Sequence, residues 1–359
     1  MAINPAEVLY GFHQITDLFN DNVSAENIPA INTAIEAAVT EHNRQLDTLS
    51  ARFVGKTTEY KRRYKQYAAT RSQPLDQNGR AQPIKARGSY DIALPIQGSG
   101  SAWGVNYVTK QMMTVQDAND ITRILLDGDT AWMVDHILAA LFLGSEWTFP
   151  DDEHGDLKVQ PLANGDAITY TIKRGQWTPQ VDNHLLAQSA SIADASNPFP
   201  GIYDELTEHP ENGTRVVTFI ASDLRTSVEN LANFKDKADP NIQLGANADR
   251  LVGDLGVDVP GTLVGYVDQN WIVEWPSIPS GYLTSTTVDV GEPALAQREY
   301  PLANLQGFKL VGQRDDHPFE ESQYARWAGF GAWNRVGALV MQIGAGTYSV
   351  PTGLASPMP

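Results

Sequence analysis

The fold of this 359-residue chain is indicated by residues 59–101, which read EYKRRYKQYAATRSQPLDQNGRAQPIKARGSYDIALPIQGSGS. They overlap a basic segment, residues 52–87, that holds ten of the 26 Lys and Arg residues and only two acids, Glu59 and Asp76. The segment therefore carries a net charge of +8, whereas the whole chain carries −17, which leaves −25 for the rest. A basic segment with few apolar residues is poorly suited to packing into the hydrophobic core of an acidic protein. It indicates contact with nucleic acid or with an acidic protein surface.

Turn residues divide the basic segment into short extended pieces. Pro, Asn and Gly cluster at residues 72–74, 77–79 and 98–100, and an alternating stretch covers residues 90–96. Turn signals between extended runs are typical of paired strands. The sequence therefore predicts a long two-stranded β-hairpin.

Composition limits what the rest of the chain can be. Hydrophobic residues make up 42%, which is enough for a core, and the absence of cysteine excludes disulfides and cysteine–zinc sites. The longest apolar run, about residues 137–143, is far shorter than the ~20 residues of a membrane span. We therefore expect no membrane partner, and the acidic body disfavours non-specific binding of nucleic acid.

The flanking patterns predict a mixed α+β chain. Residues 29–53 have the periodicity of an amphipathic helix, and Thr114 with Asp117 forms a capping-box pair that begins a second helix, which we expect Gly128 to interrupt. From about residue 215 the pattern changes to short α/β units with strands at 216–220, 263–267, 271–275 and 336–343.

An acid-only stretch follows the basic one. Between Arg123 and Lys158 there is no Lys or Arg. The stretch contains eight acids, which are Asp127, Asp129, Asp135, Glu146, Asp151, Asp152, Glu153 and Asp156. These acids are a candidate partner surface for a basic arm.

Residues 124–130, ILLDGDT, match the DxDxT signature of haloacid-dehalogenase-like phosphohydrolases. In that chemistry Asp127 would be the nucleophile and Asp129 the general acid. The motif lies a third of the way along the chain, and its flanks have helical rather than strand periodicity. The alternative interpretation is an exposed turn or break in a helix.

Other chemical signals are weak. Clustered carboxylates at residues 151–156 attract divalent cations in some proteins, but the regular spacing of a calcium loop is missing. The seven histidines are scattered without metal-type pairing. Apart from the Asp127–Asp129 motif, the sequence therefore predicts no metal, no cofactor and no catalytic site.

Three tyrosines, Tyr60, Tyr64 and Tyr67, are interleaved with the cations of the arm. Aromatic residues among cations stack on bases and neutralise phosphates, but Tyr and Arg are equally enriched in protein–protein interfaces. Direct nucleic-acid contact, a solvated face and an inter-subunit contact all remain open from these residues alone.

The order of parts resembles the major capsid protein of tailed bacteriophages. Residues 217–224 resemble the strand-to-helix entry of that family's axial domain, residues 261–282 its strand and loop region, and residues 326–340 the closing strands of its peripheral domain. The resemblance implies an α+β fold with an N-terminal arm (1–54), an extended β-hairpin loop (55–110), a peripheral domain with a long spine helix (111–190 and 292–359) and an axial α/β domain (191–291).

The resemblance also implies a function. We expect a structural protein, not an enzyme, whose hexamers and pentamers form an icosahedral virion shell, assembled in the host cytoplasm around double-stranded DNA. Portal, scaffolding and decoration proteins are the implied partners, and a nanocompartment shell protein of the same fold is the alternative. The expected inter-subunit contact joins the acid-only stretch to seven loop cations, which are Arg62, Arg63, Lys65, Arg71, Arg80, Lys85 and Arg87.

Overall fold

The computed structural model describes most of the chain, namely residues 28–51, 53–67, 72, 74–81, 83, 86–173, 177–237, 260–288, 292–316 and 319–356. Two compact units contain these residues. The first unit draws on segments within Met1–Leu46, Gly98–Met133 and Leu302–Trp327, and the second on segments within Asp47–Gln97, Val134–Pro301 and Ala328–Pro359.

Helices and strands are mixed along the described residues, as the predicted α+β class requires. The α-helices are α1 (Ile28–Ser50), α2 (Tyr107–Met112), α3 (Val115–Leu141), α4 (Phe199–Thr207) and α5 (Arg225–Glu229). The strands are β1 (Val54–Thr57), β2 (Lys61–Tyr67), β3 (Ala86–Ala93), β4 (Gln97–Asn106), β5 (Trp147–Asp151), β6 (Gly155–Val159), β7 (Asn164–Ile172), β8 (Thr178–Asn183), β9 (Leu185–Gln188), β10 (Val216–Ile220), β11 (Lys235–Asp236), β12 (Thr262–Val267), β13 (Asn270–Glu274), β14 (Tyr282–Thr287), β15 (Leu295–Arg298), β16 (Lys309–Asp316), β17 (Phe319–Ala332) and β18 (Ala338–Ile343). None of these helices combines the length and apolarity that crossing a membrane requires.

Helix α3 is the long helix that the sequence predicted, and it begins at the predicted cap. The backbone N–H of Asp117 donates to Thr114 Oγ1 (3.2 Å), and the backbone N–H of Thr114 donates to Asp117 Oδ2 (2.9 Å). The expectation that Gly128 interrupts the helix is wrong, because Gly128 lies inside its 27 residues. One glycine costs a helix only about 1 kcal/mol, which side-chain packing elsewhere along the helix readily offsets.

The first unit has its own apolar core. Leu125 of α3 is buried with Phe308 and Tyr324, and Ile35 and Val39 of α1 pack against them. Strand β17 pairs antiparallel with β16 in this unit, and β4 also pairs with β17. The core therefore brings α1 and α3 onto the side chains of the β16–β17 pair.

A buried charge network joins the same elements. Arg326 of β17 donates from Nε to Asp129 Oδ1 (2.8 Å) and from Nη2 to Asp129 Oδ2 (2.7 Å), while His42 Nε2 of α1 lies 2.8 Å from Oδ2. The Asp129 side chain is 0% exposed. Burial raises the pKa of Asp129, but the hydrogen bonds from His42 and Arg326 outweigh burial and lower the pKa below its ordinary value. Asp129 is therefore an ionised structural residue.

Replacing Asp129 by alanine should destabilise the unassembled subunit by about 3–5 kcal/mol, because Arg326 would stay buried without its counter-ion. The matched control is Asp127→Ala on the same helix, whose side chain is 72% exposed and which should change stability by no more than about 0.5 kcal/mol. Urea denaturation measures both.

The contribution of Asp129 should disappear as the pH falls below about 3.9, the unfolded pKa, because the folded pKa lies lower. Equal stability of the two variants would contradict the assignment.

The second unit contains a seven-stranded mixed sheet in the order β11-β12-β13-β10-β14-β18-β9. Every residue of β10 is buried, and β10 pairs parallel with β13 and antiparallel with β14. Helix α4 covers the sheet with Phe199, Ile202 and Leu206. The predicted strand at residues 216–220 is confirmed, and the sheet also takes in β9 and β18, from outside the 191–291 range.

Candidate inter-subunit contact surfaces

The predicted hairpin is confirmed as the antiparallel pair β2–β3. Arg63 faces Asp91 across the pair, and Tyr64 faces Tyr90 with their rings stacked at a centroid distance of 5.4 Å. In the connection between the strands, Asp76 Oδ1 accepts hydrogen bonds from the backbone N–H groups of Asn78 and Arg80, both at 2.8 Å. The carboxylate of Asp76, one of only two acids in the basic segment, thus shapes a turn.

Arg62 is held by groups of its own chain. Its guanidinium lies over the Trp333 ring at 4.4 Å from the centroid, and Nη1 donates to Glu292 Oε1 at 2.8 Å. A hydrogen bond to the Tyr64 hydroxyl (3.2 Å) is the largest of the effects that raise the pKa of Arg62. Arg62 is therefore a residue that fixes the hairpin to its own unit through cation–π and ionic contacts.

Asp91 of β3 neutralises two further cations of the hairpin. Arg63 donates to both carboxylate oxygens at 2.6 and 3.0 Å, and Lys61 Nζ lies 2.7 Å from Oδ2. The Arg63 hydrogen bonds, aided by Lys61, hold the pKa of Asp91 well below its usual range. Lys61 and Arg63 are exposed and Asp91 is only partly buried. Their ion pairs therefore contribute little to stability, but they leave less unpaired positive charge on the hairpin for a partner.

Among the predicted loop cations whose side chains the structure describes, two remain open to a partner. Lys65 on β2 and Arg80 in the turn are both exposed, and neither has an ion-pair partner among the residues described here. Arg71 and Lys85 lie outside the described residues, and Arg87 is described only as a backbone position of β3.

Six of the eight predicted acids lie at the surface. Asp127 and Asp135 are exposed on α3, and Asp127 has only Arg123 nearby, at 3.7 Å. Glu146 is exposed, with Lys158 at 3.1 Å and a hydrogen bond from Gln160. The other three are exposed in or beside the turn of the β5–β6 hairpin, and they are Asp152, Glu153 and Asp156.

Asp129 and Asp151 do not belong to an exposed acidic surface, contrary to the sequence-based expectation. Asp129 is enclosed by Arg326 and His42. Asp151 accepts a hydrogen bond from Arg298 Nη1 at 2.9 Å, and both side chains are only 6% exposed. Burial raises the pKa of Asp151, but the hydrogen bonds from Arg298 and from the backbone N–H groups of residues 153 and 154 outweigh burial and lower the pKa below its ordinary value. The carboxylate therefore stays ionised. Both acids are structural because each neutralises a buried arginine.

The DxDxT interpretation fails for the same reason. Residues 127–130 lie in the middle of helix α3 rather than at the end of a buried strand. The Asp129 carboxylate has both oxygens occupied by Arg326, whereas Asp127 is on the solvent side of the helix. The two carboxylates therefore do not face a common substrate site.

The base of the basic hairpin is fixed by close backbone contacts. Leu94 N–H donates to the carbonyl of Tyr60 (2.9 Å), and Arg298 Nη1 donates to the carbonyl of Leu94 (3.0 Å). Residues 94–96 lie directly on Gly329 of β17, where an added Cβ would sit 2.0 Å from the Pro95 carbonyl oxygen. Only glycine allows this approach.

Gly329→Ala should therefore destabilise the subunit by about 1–3 kcal/mol, because residues 94–96 would have to move away from β17. The control is Gly128→Ala in α3, where a new Cβ has no neighbour within 4 Å and should stabilise the helix by up to about 1 kcal/mol. Thermal and urea unfolding of the two variants should shift in opposite directions. A neutral Gly329→Ala variant would show that the approach is not tight.

Sequence reasoning missed one cluster entirely. Asp182, His184 and His209 lie together in the second unit and are all buried. The only local signal was the Asp-x-His spacing of residues 182–184, which places two polar side chains on one face of an extended segment. His209 is 25 residues further on, so nothing in the sequence paired it with them.

Comparison with known proteins bears on the fold. No protein-family model matches the sequence, and no curated protein matches it. A solved chain from Mycobacterium phage Patience is similar over 98% of this chain and 98% of its own length, with a TM-score of 0.68 and 18% identity. Weaker similarities are to the Cyanophage Pam1 capsid asymmetric unit (TM-score 0.48, 12% identity, 82% of this chain and 88% of that one) and to a virus-like particle from Pyrococcus furiosus (0.43, 9%, 86% and 98%). The chain has the α+β fold that the resemblance predicted, the tailed-phage major capsid fold.

Proposed function

We propose that this chain is the major capsid protein of a tailed bacteriophage. The observation that carries the proposal is the end-to-end likeness to a phage chain, 98% of each, in a fold that includes the basic hairpin and the long helix α3. A fold alone is compatible with several functions, so the proposal also rests on the surface charges of the chain.

In this proposal the subunits form hexamers and pentamers that close into an icosahedral shell around packaged double-stranded DNA. The net charge of −17 suits a container, because an acidic lining does not bind its polyanionic contents. Portal, scaffolding and decoration proteins would be the partners, the virion would be its location, and assembly would take place in the host cytoplasm. The subunit would have no catalytic role.

We propose the same division of the subunit that the resemblance implies. Residues 1–54 would be an arm, 55–110 the extended loop, 111–190 with 292–359 the peripheral domain, and 191–291 the axial domain. The loop would reach across a subunit boundary. Its open cations Lys65 and Arg80 would face exposed acids of the neighbouring subunit, with Asp152, Glu153 and Asp156 as the first candidates. Single exposed ion pairs contribute only about 0–1 kcal/mol, so the contact would depend on many of them acting together.

Electron microscopy of the purified full chain tests the function directly. Closed icosahedral shells are expected, and a monodisperse monomer under all assembly conditions would refute the proposal. Shell contents separate the two shell functions, since a phage capsid encloses DNA and a nanocompartment encloses a cargo enzyme.

Reversing the two open cations tests the loop contact. The double variant Lys65→Glu with Arg80→Glu should form few or no closed shells, because the loop would then repel an acidic neighbour. The control is Lys235→Glu with Lys237→Glu, which makes the same change in net charge at exposed positions on and beside β11. Negative-stain counts of closed shells give the result, and circular dichroism checks that both variants are folded. Normal shells from the Lys65 and Arg80 variant would refute the contact but not the function.

A further inference from the structure

Three buried side chains converge in the second unit. Asp182 is on β8, His184 lies between β8 and β9, and His209 follows α4. Their side chains are 5%, 0% and 0% exposed. Nε2 of His209 lies 2.7 Å from Asp182 Oδ2, Nε2 of His184 lies 3.2 Å from the same oxygen, and the two Nε2 atoms are 3.2 Å apart.

The hydrogen-bond partner of Nδ1 shows which ring nitrogen carries the hydrogen in each imidazole. Nδ1 of His184 lies 2.8 Å from the carbonyl oxygen of Ala338, and Nδ1 of His209 lies 3.2 Å from that of Thr171. A carbonyl oxygen only accepts hydrogen bonds, so Nδ1 carries the hydrogen in both rings. In neutral rings each Nε2 then has a lone pair and no hydrogen. The two Nε2 lone pairs and the carboxylate oxygen of Asp182 therefore face one another.

Such an arrangement requires a positive charge between the three atoms. A single proton on one Nε2 would leave the lone pair of the other Nε2 facing the Asp182 carboxylate, and two N–H groups 3.2 Å apart would point at each other. A histidine that binds a metal ion through Nε2 commonly donates its Nδ1 hydrogen to a backbone carbonyl, which orients the ring toward the ion. Both imidazoles here make that hydrogen bond.

The spacing matches a small tetrahedral cation. Ligands about 2.0–2.1 Å from a zinc ion lie about 3.3 Å from one another. Two of the three separations, both 3.2 Å, match this value, and the third, 2.7 Å between His209 Nε2 and Asp182 Oδ2, is shorter. Carboxylate oxygens of Asp182, Glu205 and Glu208 also lie within 4.8 Å of one another. Both glutamates are half-buried, and because they share Asp182 with the two histidines, either is a candidate fourth ligand.

We propose that Asp182, His184 and His209 bind a divalent transition-metal cation of the zinc type, with Glu205 or Glu208 as the fourth ligand. The cation would join β8, the residue between β8 and β9, and the segment after α4, so its role would be structural. Borderline cations are favoured because two imidazole nitrogens with carboxylate oxygen suit Zn²⁺ better than Mg²⁺ or Ca²⁺. The proposal does not depend on the proposed function.

Zinc titration of the full chain, after removal of metals with a chelator, tests the site. Isothermal titration calorimetry should give one tight Zn²⁺ site per chain, and Co²⁺ at the same site should show the visible absorption of tetrahedral coordination. The melting temperature should rise with Zn²⁺ because the ion binds only the folded state. A chain that takes up no Zn²⁺ at micromolar concentrations would overturn the proposal.

Variants locate the ion. His209→Gln should weaken Zn²⁺ binding at least ~10-fold, since even the loss of an outer-shell partner weakens metal binding 10- to 100-fold. The matched control is His154→Gln in the turn before β6, which should bind Zn²⁺ as the unaltered chain does. If His209→Gln fails to fold, the half-buried double variant Glu205→Gln with Glu208→Gln decides instead, and it too should lose at least ~10-fold. Unchanged Zn²⁺ binding in the deciding variant would place the ion elsewhere and overturn the proposal.

Discussion

A buried charge must find a partner, and this constraint organises both units. In the first unit Arg326, one of the largest fully buried side chains, is neutralised by Asp129. In the second unit Arg298 pairs with Asp151, and Arg335 donates to the Pro161 carbonyl (2.7 Å) and to Asp166 (2.8 Å). Because desolvating an unpaired charge costs several kcal/mol, each of these pairs fixes the relative position of segments far apart in sequence.

The same constraint separates the charges that build the subunit from those left for other molecules. In the sequence, Arg62 and Arg63 appear as free cations of a basic arm. In the structure, Arg62 contacts Glu292 and the Trp333 ring, and Arg63 forms an ion pair with Asp91. Within the described residues, the hairpin thus carries less unpaired positive charge than its sequence suggests. What remains for recognition is a shorter set of exposed cations on the hairpin and exposed acids on α3 and the β5–β6 turn.

Local signals predicted local structure well. The capping box at Thr114, the buried strand at residues 216–220 and the hairpin of residues 61–93 could be predicted because their signals are local: a cap pair, an apolar run and a cluster of turn residues. Candidate site residues were predicted less well. Asp127 and Asp129 look equivalent in the sequence, but they lie on opposite sides of a helix, one exposed and one enclosed.

By itself the sequence determined the α+β class, the position of the basic hairpin and the acidity of the body, because composition, periodicity and turn chemistry are properties of short segments. Only the tertiary structure decided which charges are paired and which are free. Residues 42, 129 and 326 meet in one network, and residues 182, 184 and 209 meet in another. Proximity between such distant positions is created by packing and burial, which follow from the whole fold and not from any local pattern.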